Sequence, residues 1–322
     1  MLLYFAPMEG VTGAVFRRVH HEMFPGVDRY FAPFIAPDAA GRFKTSHLRA
    51  LLPDNNGGVP LTPQILANSA AAFLGAAETL ASLGYTELNL NAGCPSGTVV
   101  SKHKGAGMLA ELDTLDAFLD EVCTRSPLPI SVKTRLGLQS TTEFPKILEV
   151  FCRYPLRELI VHARDRAGMY QSVPDRAAFL AALGRCPFPL CYNGDIFSPG
   201  DFEALREQTP GLSRVMLGRG AVANPALFRQ LRGGSVLQLA ELRAFHDALL
   251  ARSLDEGLAP SYALARMKEL WFYFICLFPG SEKTAKTLYK SRRLEDYRAA
   301  AAALFEGGFF EPAQSFGAGA GN

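Results

Sequence analysis

Short apolar runs alternate along the chain with longer stretches whose apolar residues recur every three to four positions. The runs lie at residues 2–6, 29–34, 61–66, 87–91, 130–134, 159–162, 190–193 and 215–217 and predict eight strands. The longer stretches predict helices at 13–23, 69–83, 113–124, 142–152, 175–183, 198–207 and 225–231. The connection over 37–59 is the weakest repeat, with a short helix at 47–52 and then the loop-like Pro53-Asp54-Asn55-Asn56-Gly57-Gly58. Strand–helix alternation implies a parallel sheet, and eight repeats in about 230 residues match an α/β (β/α)8 TIM barrel. An open doubly wound sheet is the alternative. Against it, no Gly-x-Gly-x-x-Gly follows the first strand, and small and polar residues collect after several strands. In a barrel those strand ends form one face, where active sites lie.

Strand signals stop near Leu237. Helical periodicity then covers 239–255, 261–276, 282–291 and 294–304, with breaks at 257–260 and 278–280. The expected organisation is a catalytic barrel over 1–236, a small helical domain over 237–314, and a disordered Gly- and Ala-rich tail over 315–322.

Composition narrows the class. A hydrophobic fraction of 48% and a charged fraction of 20% in 322 residues describe a globular protein with a sizeable core. Net charge is only +2, so a nucleic-acid partner has to be met by a local patch. One such patch is Lys283, Lys286, Lys290 and Arg293, spaced to share one side of a helix, with Arg292 adjacent. It reads either as a solvated face or as a phosphate-tracking stripe. The six cysteines include no Cys-x-x-Cys pair, which argues against zinc and thioredoxin-like chemistry. They do not read as a disulfide framework either, so a reducing compartment, the cytoplasm, is expected, with the protein a monomer. The first residues lack a basic region and a long apolar core, and no run of 18 apolar residues occurs. Neither a signal peptide nor a membrane span is expected.

Chemistry concentrates after the strands. In residues 87–109, Leu88 and Leu90 alternate with Asn89 and Asn91 until Gly93-Cys94-Pro95 breaks the strand. Cys94 therefore sits where strand gives way to loop, with its sulfur able to reach a ligand over the strand ends. The following loop carries Lys102, His103 and Lys104, then Gly105-Ala106-Gly107, and reads as a cationic, glycine-hinged lid over 96–107. The first strand ends in Pro7, Met8 and Glu9, where a thioether and a rigid ring suit packing against a flat ligand. Gln64 interrupts the third run as an amide able to pair with a heterocycle edge. Lys133 and Arg135 share one side of the fifth strand, and a lysine in a barrel mouth needs an anion. His162 ends the sixth strand, Asn193, Gly194 and Asp195 the seventh, and Gly218 and Arg219 the eighth. Backbone N–H groups after the last two strands form the usual barrel phosphate site. No metal-ligand cluster, paired carboxylates, Ser-His-Asp set or Walker loop stands out. The inventory suits a flat, phosphate-bearing redox cofactor better than a hydrolytic site, without choosing a flavin over other phosphate ligands.

The segments Ala-Pro-Met-Glu-Gly, Asn-x-Gly-Cys-Pro-Ser, Val-Lys-x-Arg, Val-His-x-Arg, Asn-Gly-Asp-Ile and Gly-Arg-Gly follow one another over about 220 residues. Together they resemble the tRNA-dihydrouridine synthase family in order and spacing. The resemblance implies an FMN-dependent TIM barrel with a helical tRNA-binding domain. It implies FMN contacts from Pro7, Met8 and Glu9, from Gln64, Lys133 and His162 around the ring and ribityl chain, and from Asn193, Gly194, Asp195, Gly218 and Arg219 at the phosphate. It makes Asn91 the uracil-reading residue and Cys94 the proton donor. The implied reaction reduces the uracil C5–C6 bond in tRNA: NADPH reduces FMN, hydride passes from N5 to C6, and Cys94 protonates C5. Two segments depart from the family pattern. Gln-Leu-x-Gly becomes Gln64-Ile65-Leu66-Ala67, and Val-His-Gly-Arg-Thr becomes Val161-His162-Ala163-Arg164-Asp165. Two rival readings are an FMN barrel dehydrogenase of a free pyrimidine and a tRNA-binding protein that has lost catalysis; Cys94, Asn91 and Lys133 argue against the second.

Overall fold

A computed structural model describes residues 1–317, and residues 318–322 of the expected tail lie outside the described residues. The strands are β1 (Leu2–Phe5), β2 (Arg29–Phe31), β3 (Leu61–Thr62), β4 (Gln64–Ile65), β5 (Leu88–Ala92), β6 (Ile130–Gly137), β7 (Leu159–Asp165), β8 (Leu190–Asn193) and β9 (Arg214–Leu217). They form one sheet in the order β3-β2-β1-β9-β8-β7-β6-β5-β4, and the assigned pairings are parallel. β3 and β4 are two halves of one segment separated by Pro63, which has no N–H to give a ladder. The half before Pro63 pairs with β2 and the half after it with β5. A bridge from Ile35 to Ile65 lies beside the break. The sheet thus returns on itself as the eight-stranded barrel that the apolar runs predict, with the third strand broken at its proline.

Register fixes which side chains enter the barrel. Gln64 pairs with Asn89, Asn89 with Ser131, Asn91 with Lys133, Lys133 with Ile160, Ile160 with Cys191, and His162 with Asn193. Register partners in parallel strands share a face, so this set points one way. It continues through Met216, and Tyr4, Ala6, Phe31, Ile160, Cys191 and Met216 pack as an inner core. The alternate residues, such as Leu88, Leu90, Val132, Val161 and Leu217, are also buried. Burial on both faces is the reason these strands read as nearly continuous apolar runs.

The strand N-termini carry a charged closure that the sequence does not reveal. Glu158 accepts from the Tyr4 hydroxyl at 3.0 Å and pairs with Arg214 at 2.8 Å. Glu87 pairs with Arg29 and with Arg157 and accepts from Thr62 at 2.6 Å. These groups belong to the end opposite the strand C-termini, so they hold the fold and leave the chemistry to the other face.

The chain divides into two compact units. One holds residues 1–7, 28–194 and 208–216, hence the barrel strands up to Met216. The other holds 8–27, 195–207 and the chain from 217 onward. Its helices include Ala14–Met23, Leu239–Asp255, Pro260–Phe274, Glu282–Lys290 and Leu294–Gly307. Phe316 is buried within this unit against Phe197, Phe272 and Tyr273, so the described start of the expected tail is packed.

His20 sits at the centre of that unit, ringed by Phe16, Phe24, Phe228 and Phe245, with Nε2 2.9 Å from the Pro225 carbonyl. Burial pushes its pKa down to about 3. An unfolded chain protonates this ring below about pH 6.5 while the folded one does not. Stability from this group is therefore complete above that pH and is lost as the pH falls. The loss reaches about 2 kcal/mol by pH 5. Melting curves of wild type and His20→Gln between pH 7 and pH 5 should differ in slope by close to one proton. Equal slopes would show that His20 titrates normally.

Candidate active site

Five of the expected residues, Gln64, Asn91, Lys133, His162 and Asn193, occupy inward positions on their strands; Asn91 and Asn193 are at or next to the C-terminal end, whereas β6 and β7 run on past Lys133 and His162 to Gly137 and Asp165. Asn91, His162 and Asn193 are each 7% exposed, whereas Gln64 is completely buried. Asn89 is also completely buried, one layer below Asn91. The two asparagines of β5 are therefore not equivalent readers of a ligand: only Asn91 reaches the mouth.

The turn after β5 is tied down at every step. The Asn91 side-chain oxygen accepts from the Gly93 N–H at 3.1 Å and the Cys94 N–H at 2.9 Å, replacing the ladder that Pro95 ends. Arg135 Nε donates to the Gly93 carbonyl at 3.0 Å, and Arg166 Nε reaches the Pro95 carbonyl at 3.4 Å. Arg135 also donates to the carbonyls of Asp165 and Met169 and lies over the Tyr170 ring. One guanidinium thus joins the cysteine turn to the loop after β7. The register shift between Arg135 and Gly137 marks the same rim.

The segment expected as a lid holds two short helical turns. Residues Gly97–Val100 are a helical turn and Gly105–Ala110 a 3-10 turn whose first five residues are buried. A Cβ on Gly105, where φ is +57°, would stand 2.9 Å from the Cys94 Cβ, and one on Gly107 2.7 Å from the Val100 carbonyl. The Ala106 N–H donates to the Cys94 carbonyl at 3.0 Å. Gly105 thereby permits close packing against the cysteine, and Gly107 against Val100.

Lys133 is half-buried on the inner face of β6. Burial, then the nearby Arg135 charge, push its pKa down to about 7, while Cys191 and Cys94 lie close enough to oppose that shift. Among the described residues it has no carboxylate partner. A half-buried cation without a carboxylate partner, on the inner face of the barrel near a thiol and amides, fits an anionic flat ring. His162 Nε2 lies 3.2 Å from Arg164, and its ring is 5.7 Å from that of Tyr170. Asn193 donates to the Met216 carbonyl at 2.9 Å. Pro7 is half-buried at the end of β1, and a Cβ on Gly194 would collide with the Tyr192 ring.

The remaining expected residues belong to the second unit. Met8 is half-buried, its N–H donating to Thr12 Oγ1 at 2.9 Å, and Glu9 is exposed. Asp195 pairs with Arg219 at 2.6 Å, and the Arg219 guanidinium lies over the rings of Phe197 and Phe316. Gly218 caps the short helix Arg219–Ala223. Arg219 is thereby a fixed cation held by an acid and two aromatic faces. Among the described residues no group of three or more His, Cys, Asp or Glu could hold a metal, and no helix is long and apolar enough to cross a membrane.

The profile of the family described as dihydrouridine synthase (Dus) matches residues 4–250. The chain belongs to this family. It is, accordingly, a flavin-dependent oxidoreductase. A tRNA-dihydrouridine(16) synthase of Pseudomonas putida is 28% identical over 309 residues, covering 92% of this chain and 94% of its own. A tRNA-dihydrouridine synthase B of Pseudomonas aeruginosa is 27% identical over 327 residues, covering 98% and 95%. Among solved structures, a morphinone reductase variant in complex with tetrahydroNAD aligns with a TM-score of 0.51 and 12% identity, over 73% of this chain and 87% of that one. Histamine dehydrogenase from Rhizobium sp. 4-9 gives 0.55 at 11% identity over 83% of this chain, which spans about half of that enzyme, 48%. At such identities the likeness is one of fold, and it bears out the barrel.

Proposed function

We propose that this protein reduces uridine to dihydrouridine in tRNA, with FMN as its resident cofactor and NADPH as electron donor. The observation that carries the reading is the unneutralised Lys133 on the same inner face as Asn91, one turn from Cys94. Lys133 would balance charge on the flavin ring, with His162 and Pro7 beside it and Gln64 acting from behind Asn91, which it holds by hydrogen bond. Asn193, Gly194, Asp195, Gly218 and Arg219 would hold the phosphate end, and Met8 and Glu9 the first strand's contribution. The chemistry that FMN supplies when bound is hydride delivery to uracil C6. Asn91 would hold the uracil edge, and Cys94 would give its proton to C5. A uracil must leave the RNA stack to enter a barrel mouth, at a cost of a few kcal/mol, which favours loop uridines.

Residues 237–314 would carry tRNA binding. Lys283, Lys286 and Lys290 are exposed on one helix, Glu282–Lys290, and suit phosphate contacts. Arg293 does not extend their stripe. The helix ends at Lys290, and Arg293 pairs with Glu295 and Asp296 at the start of the next. We place the enzyme in the cytoplasm as a monomer.

The purified protein should be yellow and release FMN on denaturation. With NADPH it should form dihydrouridine in tRNA transcripts, detected by alkaline lability or mass shift. Turnover of free uracil or dihydroorotate in place of tRNA would favour a free-pyrimidine dehydrogenase. A protein that takes up no FMN would overturn the reading.

A further inference from the structure

Beneath the cysteine turn runs an unbroken chain of buried polar groups. The Cys94 and Gly93 N–H groups donate to Asn91 Oδ1, and Asn91 Nδ2 donates to Gln64 Oε1 at 2.8 Å. Gln64 Nε2 donates to Asn89 Oδ1 at 2.7 Å. Asn89 Nδ2 donates to Ser131 Oγ at 2.9 Å, and Ser131 Oγ donates to the Leu88 carbonyl at 3.0 Å. Gln64, Asn89 and Ser131 are register partners across β4, β5 and β6, so the chain runs sideways through the wall and then up one inward position to Asn91. All three are completely buried.

The ends of this chain are main-chain groups with fixed roles. An N–H can only donate and a carbonyl can only accept. Starting from the Cys94 N–H, every amide between can therefore face only one way. Reversing any one of them would set donor against donor, or acceptor against acceptor, where water does not reach. The Gly93 and Cys94 N–H groups thus set the sense, and Ser131 on the adjacent strand β6 supplies the acceptor that completes it at the far end.

We propose that Asn89 and Ser131 are positioning residues: through Gln64 they hold the Asn91 amide in the one orientation that accepts from the Cys94 N–H, and so fix where the main chain holds the Cys94 sulfur. This inference rests on the function proposed above for its kinetic arm only. Neither residue reaches the mouth, so each acts through others.

Three variants test it. Asn89→Leu keeps the volume but leaves Gln64 Nε2 without its acceptor. Asn89→Asp keeps the sense, because an acid form offers its carbonyl to Gln64 and its O–H to Ser131. Ser131→Ala is a milder break, removing the acceptor of Asn89. In Asn89→Leu, alkylation of Cys94 by iodoacetamide, followed at its peptide by mass spectrometry, should speed up several-fold on the order expected for a loosened turn. Reoxidation of the reduced enzyme by tRNA should slow on the order of tenfold to a hundredfold. Flavin reduction by NADPH and tRNA affinity should stay near wild type. Asn89→Asp should restore both the alkylation rate and the reoxidation rate, and Ser131→Ala should show a smaller change of the same kind. Wild-type behaviour of a folded Asn89→Leu, equal slowing of both half-reactions, or Asn89→Asp behaving like Asn89→Leu would overturn the proposal. If Asn89→Leu does not fold, Ser131→Ala decides in the same way. If wild type itself fails to act on tRNA, the proposed function falls, and the alkylation comparison still decides this inference.

Discussion

Cys94→Ala should abolish dihydrouridine formation while leaving the protein folded, yellow and able to bind tRNA. The side chain is half-exposed at the end of β5, and its main chain is held by Asn91 from below and by Ala106 from above. Alanine fits this position, since the Cβ beside Gly105 is retained and only the sulfur is lost. The effect is then chemical. A positioned general acid contributes roughly a hundredfold to ten-thousandfold, so single-turnover reoxidation of the reduced enzyme by tRNA should slow by about that factor. Flavin reduction by NADPH does not use the thiol and should be unchanged. Turnover of the variant at the wild-type rate would remove Cys94 from the chemistry, leaving a packed thiol of the ordinary kind.

The barrel was legible because its strands are buried on both faces and its repeats are regular. Even the break between β3 and β4 had a visible cause in Pro63, inside a run otherwise read as one strand. Strand-end residues were legible for the same reason: period-two alternation places Asn91 and Asn89, or Lys133 and Arg135, on one side. Depth was not. Gln64 looks like a residue of the mouth in sequence, but it lies fully buried because its partners on β5 do. Glycine was ambiguous as well. Gly105 and Gly107 can signal a hinge or a close approach, and the close approach to Cys94 and Val100 is visible only in the fold. The basic stripe failed at its end. Arg293 continues the spacing, but Ser291 is in an extended conformation and stops the helix. The charged closure of Arg29, Glu87, Glu158 and Arg214 had no local signal, since only ring closure brings those strand starts together.

Lys133→Met should separate stability from function. In the flavin-free protein the ammonium has no carboxylate partner, and burial and the nearby Arg135 push its pKa down to about 7. The unfolded chain keeps that proton until about pH 10.4. Between these values the unfolded state binds more protons, so the wild-type apoprotein gains stability as the pH rises from 7 and is penalised below it. Methionine fills a similar volume without a charge to desolvate. The apo variant should melt higher than wild type at pH 6, by about 2 °C or more, and the difference should shrink toward pH 9. Flavin binding should move the other way. A cation beside the ring favours the reduced, more anionic form, so its removal should weaken binding of reduced flavin more than of oxidised flavin. A ten- to hundredfold differential loss would lower the midpoint potential by about 30–60 mV for the two-electron couple. Spectroelectrochemical titration reads that shift directly, and calorimetry reads the melting change. A variant with the wild-type potential and a lower melting point would make Lys133 a structural residue and return the search for the ring's counter-ion to Arg135.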